Sequence, residues 1–188
     1  MSKRGRGKFD RKPRDFYPTP GAAVCPLVLH ATPLCFVEPC AGDGALLREL
    51  EAAGWRCHAA FDIEPGDPAV ERRDGTDFDR ELLDEWPCLE AVVTNPPYER
   101  TALLRLLDMW LGTGLTVWLL LPSDMLMNKW WAPYAPHVWG IIPIGRIKWI
   151  EGSKHTSTEN FCWVRLERQE YGDRDLDLEP EPFLFPRI

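Results

Sequence analysis

The sequence predicts an α/β fold: a doubly wound sheet of seven strands, mostly parallel, with an antiparallel last hairpin. Three observations carry that expectation. Short apolar runs rich in β-branched residues recur between amphipathic stretches, as strands alternating with helices require. The run from Leu115 to Leu121 is apolar apart from Thr116, as suits a central strand covered on both faces. The final runs, 141–150 and 161–166, are joined by a polar loop with no helical pattern between them, so the second returns beside the first.

The chain opens with a basic arm, residues 1–14, in which seven Lys or Arg face one Asp. In Tyr17-Pro18-Thr19-Pro20 the prolines forbid regular structure until a helix at 21–30, for which Thr19 is the expected N-cap. A first strand, 34–38, runs into Pro39-Cys40-Ala41-Gly42-Asp43-Gly44. Gly42 and Gly44 strip side chains from the point where the strand turns into a helix ending near Ala53. No Lys-Ser or Lys-Thr follows these glycines, so the loop is not a phosphate-gripping P-loop. The second strand, 57–61, closes on Asp62-Ile63, and a short strand near 69–73 leads to Gly75-Thr76-Asp77-Phe78. A helix at 79–86 precedes the apolar run 89–94, which stops at Asn95-Pro96-Pro97-Tyr98, since neither proline can donate to a ladder. A helix at 99–111 follows, with Leu103, Leu104, Leu106, Leu107 and Trp110 on its buried side. Residues 125–136 are expected to be helical, and they carry Lys129, Trp130 and Trp131.

Composition narrows the class. With 188 residues, 45% of them hydrophobic, the chain has enough apolar mass for one full core, set here at 15–168 between the arm and an acidic, proline-containing tail at 169–188. No apolar run is long enough to cross a bilayer, and no hydrophobic signal core follows the basic arm, so a cytoplasmic protein is expected. The six cysteines include no CxxC and the four histidines are scattered, so neither a disulfide framework nor a metal site is expected. A net charge of −7 argues against a broadly basic nucleic-acid binder but leaves the arm free to engage phosphates.

The chemistry centres on residues 95–98. Asn95 offers a side-chain carbonyl, Pro96 a main-chain carbonyl and Tyr98 a flat ring, a set suited to a planar substrate with an exocyclic NH2 such as a nucleobase. Asp62, at the end of the second strand, is placed to accept from ribose hydroxyls. Asp77 can accept from an adenine amino group while Phe78 covers the ring.

FYPTP (16–20), VEPCAGDGAL (37–46), FDIEP (61–65), GTDF (75–78) and TNPPY (94–98), in that order, resemble the motifs of S-adenosylmethionine-dependent amino-DNA methyltransferases. That resemblance implies a Rossmann-like methyltransferase sheet, S-adenosylmethionine as cofactor, and methylation of adenine N6 in duplex DNA after extrusion of the base. It implies that Tyr17, Thr19, Pro20, Glu38, Cys40 and Gly42 surround the methionine end of the cofactor. Asp62 would hold the ribose, Asp77 with Phe78 the adenine, Ile63 would be a further cofactor contact, and Asn95 would border cofactor and base alike. Asn95, Pro96, Pro97 and Tyr98 would hold the target base. Such enzymes usually carry a large target-recognition domain, for which this chain has little room, so a small, phage-like orphan form is expected. NPPY is shared with RNA-adenine and protein-glutamine methyltransferases, and an idle partner subunit or a homodimer is a further alternative. Lys129 and Trp130 are candidate nucleic-acid contacts, although one of the two adjacent tryptophans is expected in the core. His155, in the loop 151–158, is expected to stack on the target base or touch its flanking phosphate.

Overall fold

The computed structural model describes residues 17–77, 83, 86–150 and 156–169. The basic arm, the tail beyond Gln169 and most of the helix expected at 79–86 lie outside them. The described elements are α1 (Gly21–His30), β1 (Cys35–Glu38), α2 (Ala45–Ala52), β2 (Arg56–Asp62), β3 (Glu71–Arg72), β4 (Ala91–Thr94), α3 (Arg100–Thr113), β5 (Thr116–Pro122), β6 (Val138–Arg146) and β7 (Asn160–Leu166). Seven strands form one sheet in the order β3-β2-β1-β4-β5-β7-β6. Strands β1 to β5 pair in parallel, while β7 lies antiparallel to both β5 and β6.

Side chains along a strand point alternately to its two faces, and here both faces are covered. Val37, Val92, Val117, Leu119, Leu121, Cys162 and Val164 join Leu103, Leu107 and Trp110 of α3 in one core cluster. Phe36, Ala91, Val93, Trp118, Leu120 and Trp163 join Val24 and Leu27 of α1, with Leu46 and Leu50 of α2, in the other. Continuous apolar runs are thus what a two-sided sheet demands of its central strands. Two buried indoles also act as pins. Trp163 Nε1 donates to Ala23 O at 2.8 Å, fastening α1 to β7, and Trp110 Nε1 donates to Gly75 O at 3.1 Å.

Four expectations need correction. Residues 125–136 form no α-helix but three 3-10 turns, Ser123–Met127, Lys129–Trp131 and Ala135–His137. Asn128 adopts an extended backbone (φ −81°, ψ 144°) between the first two, and Pro133 and Pro136 lack the N–H that a continuing helix needs. The third strand shrinks to Glu71–Arg72. The sixth begins earlier, at Val138, and ends at Arg146, just past Gly145, whose φ of 83° accompanies a register shift against β7. Finally, Pro20 and not Thr19 is the N-cap of α1, and it makes no side-chain capping bond.

Candidate active site

Parallel strands present their C-terminal ends on one edge, and β1 and β4 are neighbours there. The loop leaving β1 is shaped by Gly42 (φ 56°) and Gly44 (φ 72°), the latter capping α2 from a left-handed conformation that other residues adopt at a cost. Backbone bonds press this loop onto the end of β2: Ala41 N to Phe61 O at 3.0 Å, and Gly66 N to Gly42 O at 2.8 Å. Asp62 completes the clamp, accepting from Gly42 N at 2.9 Å through Oδ2 and from Glu64 N at 2.8 Å through Oδ1. Each carboxylate oxygen retains a further acceptor direction. Ile63 beside it is 56% exposed, an apolar surface at the rim.

Glu38, the last residue of β1, is 1% exposed, and its Oε2 has no hydrogen-bond partner among the described residues. Burial pushes its carboxyl well above the usual range. A hydrogen bond with the Leu47 backbone opposes the shift, while the charges of Asp62 and Asp43 add to it. An orphaned buried carboxyl oxygen is costly unless a donor arrives to meet it. Cys40, two residues on, is held as a neutral thiol chiefly by burial, with the charge of Asp62 adding to the effect.

The loop after β3 packs against this one. A Cβ on Gly75 would stand 2.9 Å from Pro39 O and 3.0 Å from Leu106 Cδ2, so only a bare Cα fits there. Asp74 shapes the turn by accepting from the backbone N–H and hydroxyl of Thr76 at 2.9 and 2.8 Å, bonds that hold its carboxyl below the ordinary range. Asp77, expected to accept from a nucleobase amine, is exposed at the end of this turn. Phe78 lies outside the described residues.

At the end of β4, Pro96 is buried while Asn95, Pro97 and Tyr98 are half-buried. The Asn95 amide is held at both ends. Its Oδ1 accepts from the Tyr98 hydroxyl at 2.5 Å, and its Nδ2 donates to Thr19 Oγ1 at 3.2 Å. Thr19, 6% exposed, thus orients Asn95 and does not cap a helix. Tyr17, Pro18 and Pro20 flank it, half-buried.

An aromatic array that sequence patterning did not single out runs through this region. The Tyr98 ring is 6.0 Å from Phe161, Phe161 is 5.1 Å from Trp149, and Trp149 is 6.0 Å from Tyr17. Phe161 is the second residue of β7 and Trp149 follows β6, so the hairpin delivers both to the same edge. The signal for them was an aromatic at each mouth of that hairpin. The base of the hairpin loop is closed by Ser157, whose N–H donates to Ile147 O at 2.7 Å and whose Oγ accepts from Ile147 N at 2.9 Å. His155 lies outside the described residues.

Trp131 is 2% exposed and belongs to the core. Trp130 is half-buried, packed edge-on against Trp131 at 5.8 Å and beneath the Arg100 guanidinium at 5.8 Å. Lys129 is exposed at the start of the second 3-10 turn after β5.

The strand order, with β7 inserted antiparallel between β5 and β6, defines a Rossmann-like methyltransferase fold. The chain is similar in structure to a Listeria monocytogenes protein described as a class I S-adenosylmethionine-dependent methyltransferase (TM-score 0.56, 14% identity, covering 97% of this chain and 67% of that one). It is also similar to a Pyrococcus horikoshii protein described as an RNA methyltransferase (TM-score 0.50, 14% identity, covering 81% of this chain and 86% of that one). No protein-family model matches the sequence, and no curated protein matches it. Among the described residues no helix is long and apolar enough to cross a membrane.

Proposed function

We propose that the protein is an S-adenosylmethionine-dependent DNA adenine N6-methyltransferase acting on an extruded base. One observation carries the reading: Asn95, its amide fixed between Tyr98 and Thr19, follows the strand beside the one that ends at Glu38, whose Oε2 has no hydrogen-bond partner among the described residues. Acceptors for an amine and a carboxyl oxygen awaiting a donor therefore stand at adjacent strand ends.

The residues fit the cofactor. Its α-ammonium would supply the donor that Glu38 Oε2 lacks, and its ribose hydroxyls would use the free acceptor directions of Asp62. Ile63 and Asp77 would border its adenine. When bound, the cofactor supplies a methyl group activated on a sulfonium.

The adenine N6 lone pair is delocalised into the ring, which makes the amine a poor nucleophile. Asn95 Oδ1 and Pro96 O would each accept one of its N–H bonds, drawing the nitrogen toward tetrahedral geometry and stabilising the positive charge that develops on it. Before the base arrives, the Tyr98 hydroxyl satisfies Asn95 Oδ1, so the acceptor is aligned and never left bare. The incoming amine takes over that position, while the Tyr98 ring stacks on the base. Extrusion from a duplex costs on the order of a few kcal/mol, which stacking at roughly 1–3 kcal/mol per base offsets in part. Fixed alignment of amine and methyl group can contribute up to about 7–11 kcal/mol of the rate enhancement.

The test incubates the full chain with methyl-labelled S-adenosylmethionine and, separately, duplex DNA, structured RNA and a glutamine-bearing peptide. Label recovered as N6-methyladenine from DNA is the expected result. Label confined to RNA or peptide would keep the amine chemistry and reassign the substrate, and no label anywhere would sink the proposal.

A further inference from the structure

A second cluster of reactive side chains lies at the opposite end of the sheet, where the parallel strands begin. Cys35 opens β1, His58 lies near the start of β2, and Cys88 precedes β4. Their ligand atoms all fall within 4.8 Å of one another: Cys35 Sγ is 3.3 Å from Cys88 Sγ, which is 3.8 Å from His58 Nδ1. We infer that Cys35, His58 and Cys88 bind a single thiophilic divalent metal ion of the zinc type, tying together three separate segments of the chain.

The dimensions agree with such a site. Zn–S bonds of about 2.3 Å and Zn–N bonds of about 2.0–2.1 Å in a tetrahedron place the donor atoms roughly 3.5–3.8 Å apart. The sulfurs, at 3.3 Å, stand roughly 0.5 Å closer than the ~3.8 Å that two Zn–S bonds require, and the sulfur–nitrogen pair, at 3.8 Å, roughly 0.2 Å wider than its ~3.6 Å. A small movement of one thiol would admit the ion.

Backbone geometry supplies an independent argument. The β1–β2 register passes from Phe36↔Cys57 to Val37↔Ala59, so His58 is the extra residue of a bulge. A bulge re-aims the side chain it carries, and here it turns the imidazole toward the two thiols. The Trp86 ring, 4.7 Å away, packs against that imidazole. Regular pairing would not need this irregularity.

The charges also balance. Two thiolates and an imidazole neutralise a divalent ion, and two thiol protons leave to solvent on binding. Around them Arg56 sits 3.7 Å from Cys88 Sγ, and the Glu90 carboxylate accepts from Cys35 N at 2.8 Å. One cation and one carboxylate flank the site, and a water molecule would complete a four-coordinate ion. Two sulfurs and a nitrogen select zinc-like ions over magnesium or calcium. Cys88 and His58 are not buried, which leaves a path of entry.

The test uses the full chain, reduced and stripped with a chelator, then titrated with Co2+ and afterwards with Zn2+. One Co2+ per chain should bind with thiolate-to-cobalt charge-transfer absorption, Zn2+ should displace it, and the melting temperature should rise with Zn2+ concentration. Cys88→Ser and His58→Ala should each weaken binding at least tenfold, whereas Cys25→Ser, at an exposed thiol elsewhere, should not. Affinity for S-adenosylmethionine, measured on the same Cys88→Ser sample, should not change, so the outcome is independent of the active-site reading. Absence of the charge-transfer band, or equal affinity in Cys88→Ser, would overturn the inference. So would a Cys35–Cys88 disulfide that forms in air when the reduced chain takes up no Co2+.

Discussion

Asn95→Ala tests the catalytic reading most directly, because the two hydrogen bonds on this amide separate its roles. The Tyr98 hydroxyl at 2.5 Å and Thr19 Oγ1 at 3.2 Å fix the group before any substrate arrives, so its oxygen needs little rearrangement to meet an amine. Removing a preorganised group that stabilises transition-state charge typically costs about 2.7–4 kcal/mol, or roughly 10²–10³ in kcat. Because the incoming amine displaces the Tyr98 hydroxyl from Asn95 Oδ1 in any case, the loss should fall on kcat more than on KM. Cofactor affinity should change little, since the carboxyls that would hold the cofactor, Glu38 and Asp62, belong to other strands. The assay pairs single-turnover methyl transfer with calorimetric titration of S-adenosylmethionine. If kcat stays within about threefold of the parent, or cofactor Kd moves more than kcat, the amine-acceptor mechanism fails.

Four further outcomes are expected. Glu38 is protonated more readily in the fold than in the unfolded chain, so its contribution to stability is complete below the ordinary Glu value of about 4.3 and is lost as pH rises through its raised folded value. Glu38→Gln should therefore flatten the fall in melting temperature with pH of the cofactor-free chain while weakening cofactor binding; an unchanged pH slope would show that Glu38 does not carry the effect. Asp62→Ala removes a charged acceptor worth about 1.5–3 kcal/mol, so calorimetry should find the cofactor bound roughly 10- to 150-fold more weakly. Gly75→Ala forces a Cβ against Pro39 O and should destabilise by about 1–3 kcal/mol, visible as a lowered melting temperature. Deleting residues 1–14 should flatten the salt dependence of duplex binding by about 0.9 for each phosphate that the arm no longer neutralises, at unchanged cofactor affinity.

Much of the fold is legible because strands buried on both faces leave nearly continuous apolar runs, and the runs over β1, β4, β5 and β7 are of that kind. Residues 123–137 were not legible. Their aromatic and apolar residues mimic a helical stripe, but Asn128, Pro133 and Pro136 interrupt the backbone more often than a helix tolerates. The order of motifs anticipates that Glu38 and Asn95 stand at adjacent strand ends. What it cannot convey is a side-chain bond between distant segments, so Thr19 read locally as a helix cap when its partner is Asn95. The Cys35–His58–Cys88 cluster was invisible for the same reason. Its members come from three segments with no local spacing to mark them, and a bulge aims one of them.

The bond from Trp163 to Ala23 spans 140 positions, so it cannot form until nearly the whole domain has been synthesised. Helix α1 has no complete floor until β7 exists, yet β7 does not add to an outer edge. It lies between β5 and β6 and pairs with both. While the chain is being synthesised, β5 therefore presents an unpaired, strongly apolar margin from Val117 to Leu121. At about 5–20 residues per second that margin stays open for several seconds before Leu166 is added. During that interval it is a template for pairing with another nascent copy, and β6, with its proline and its left-handed glycine, is a poor temporary cover. Ribosome pausing between Pro122 and Asn160 would lengthen the exposure, so yield in a cell should depend on codon choice and chaperone supply over that stretch more than on the stability of the finished fold.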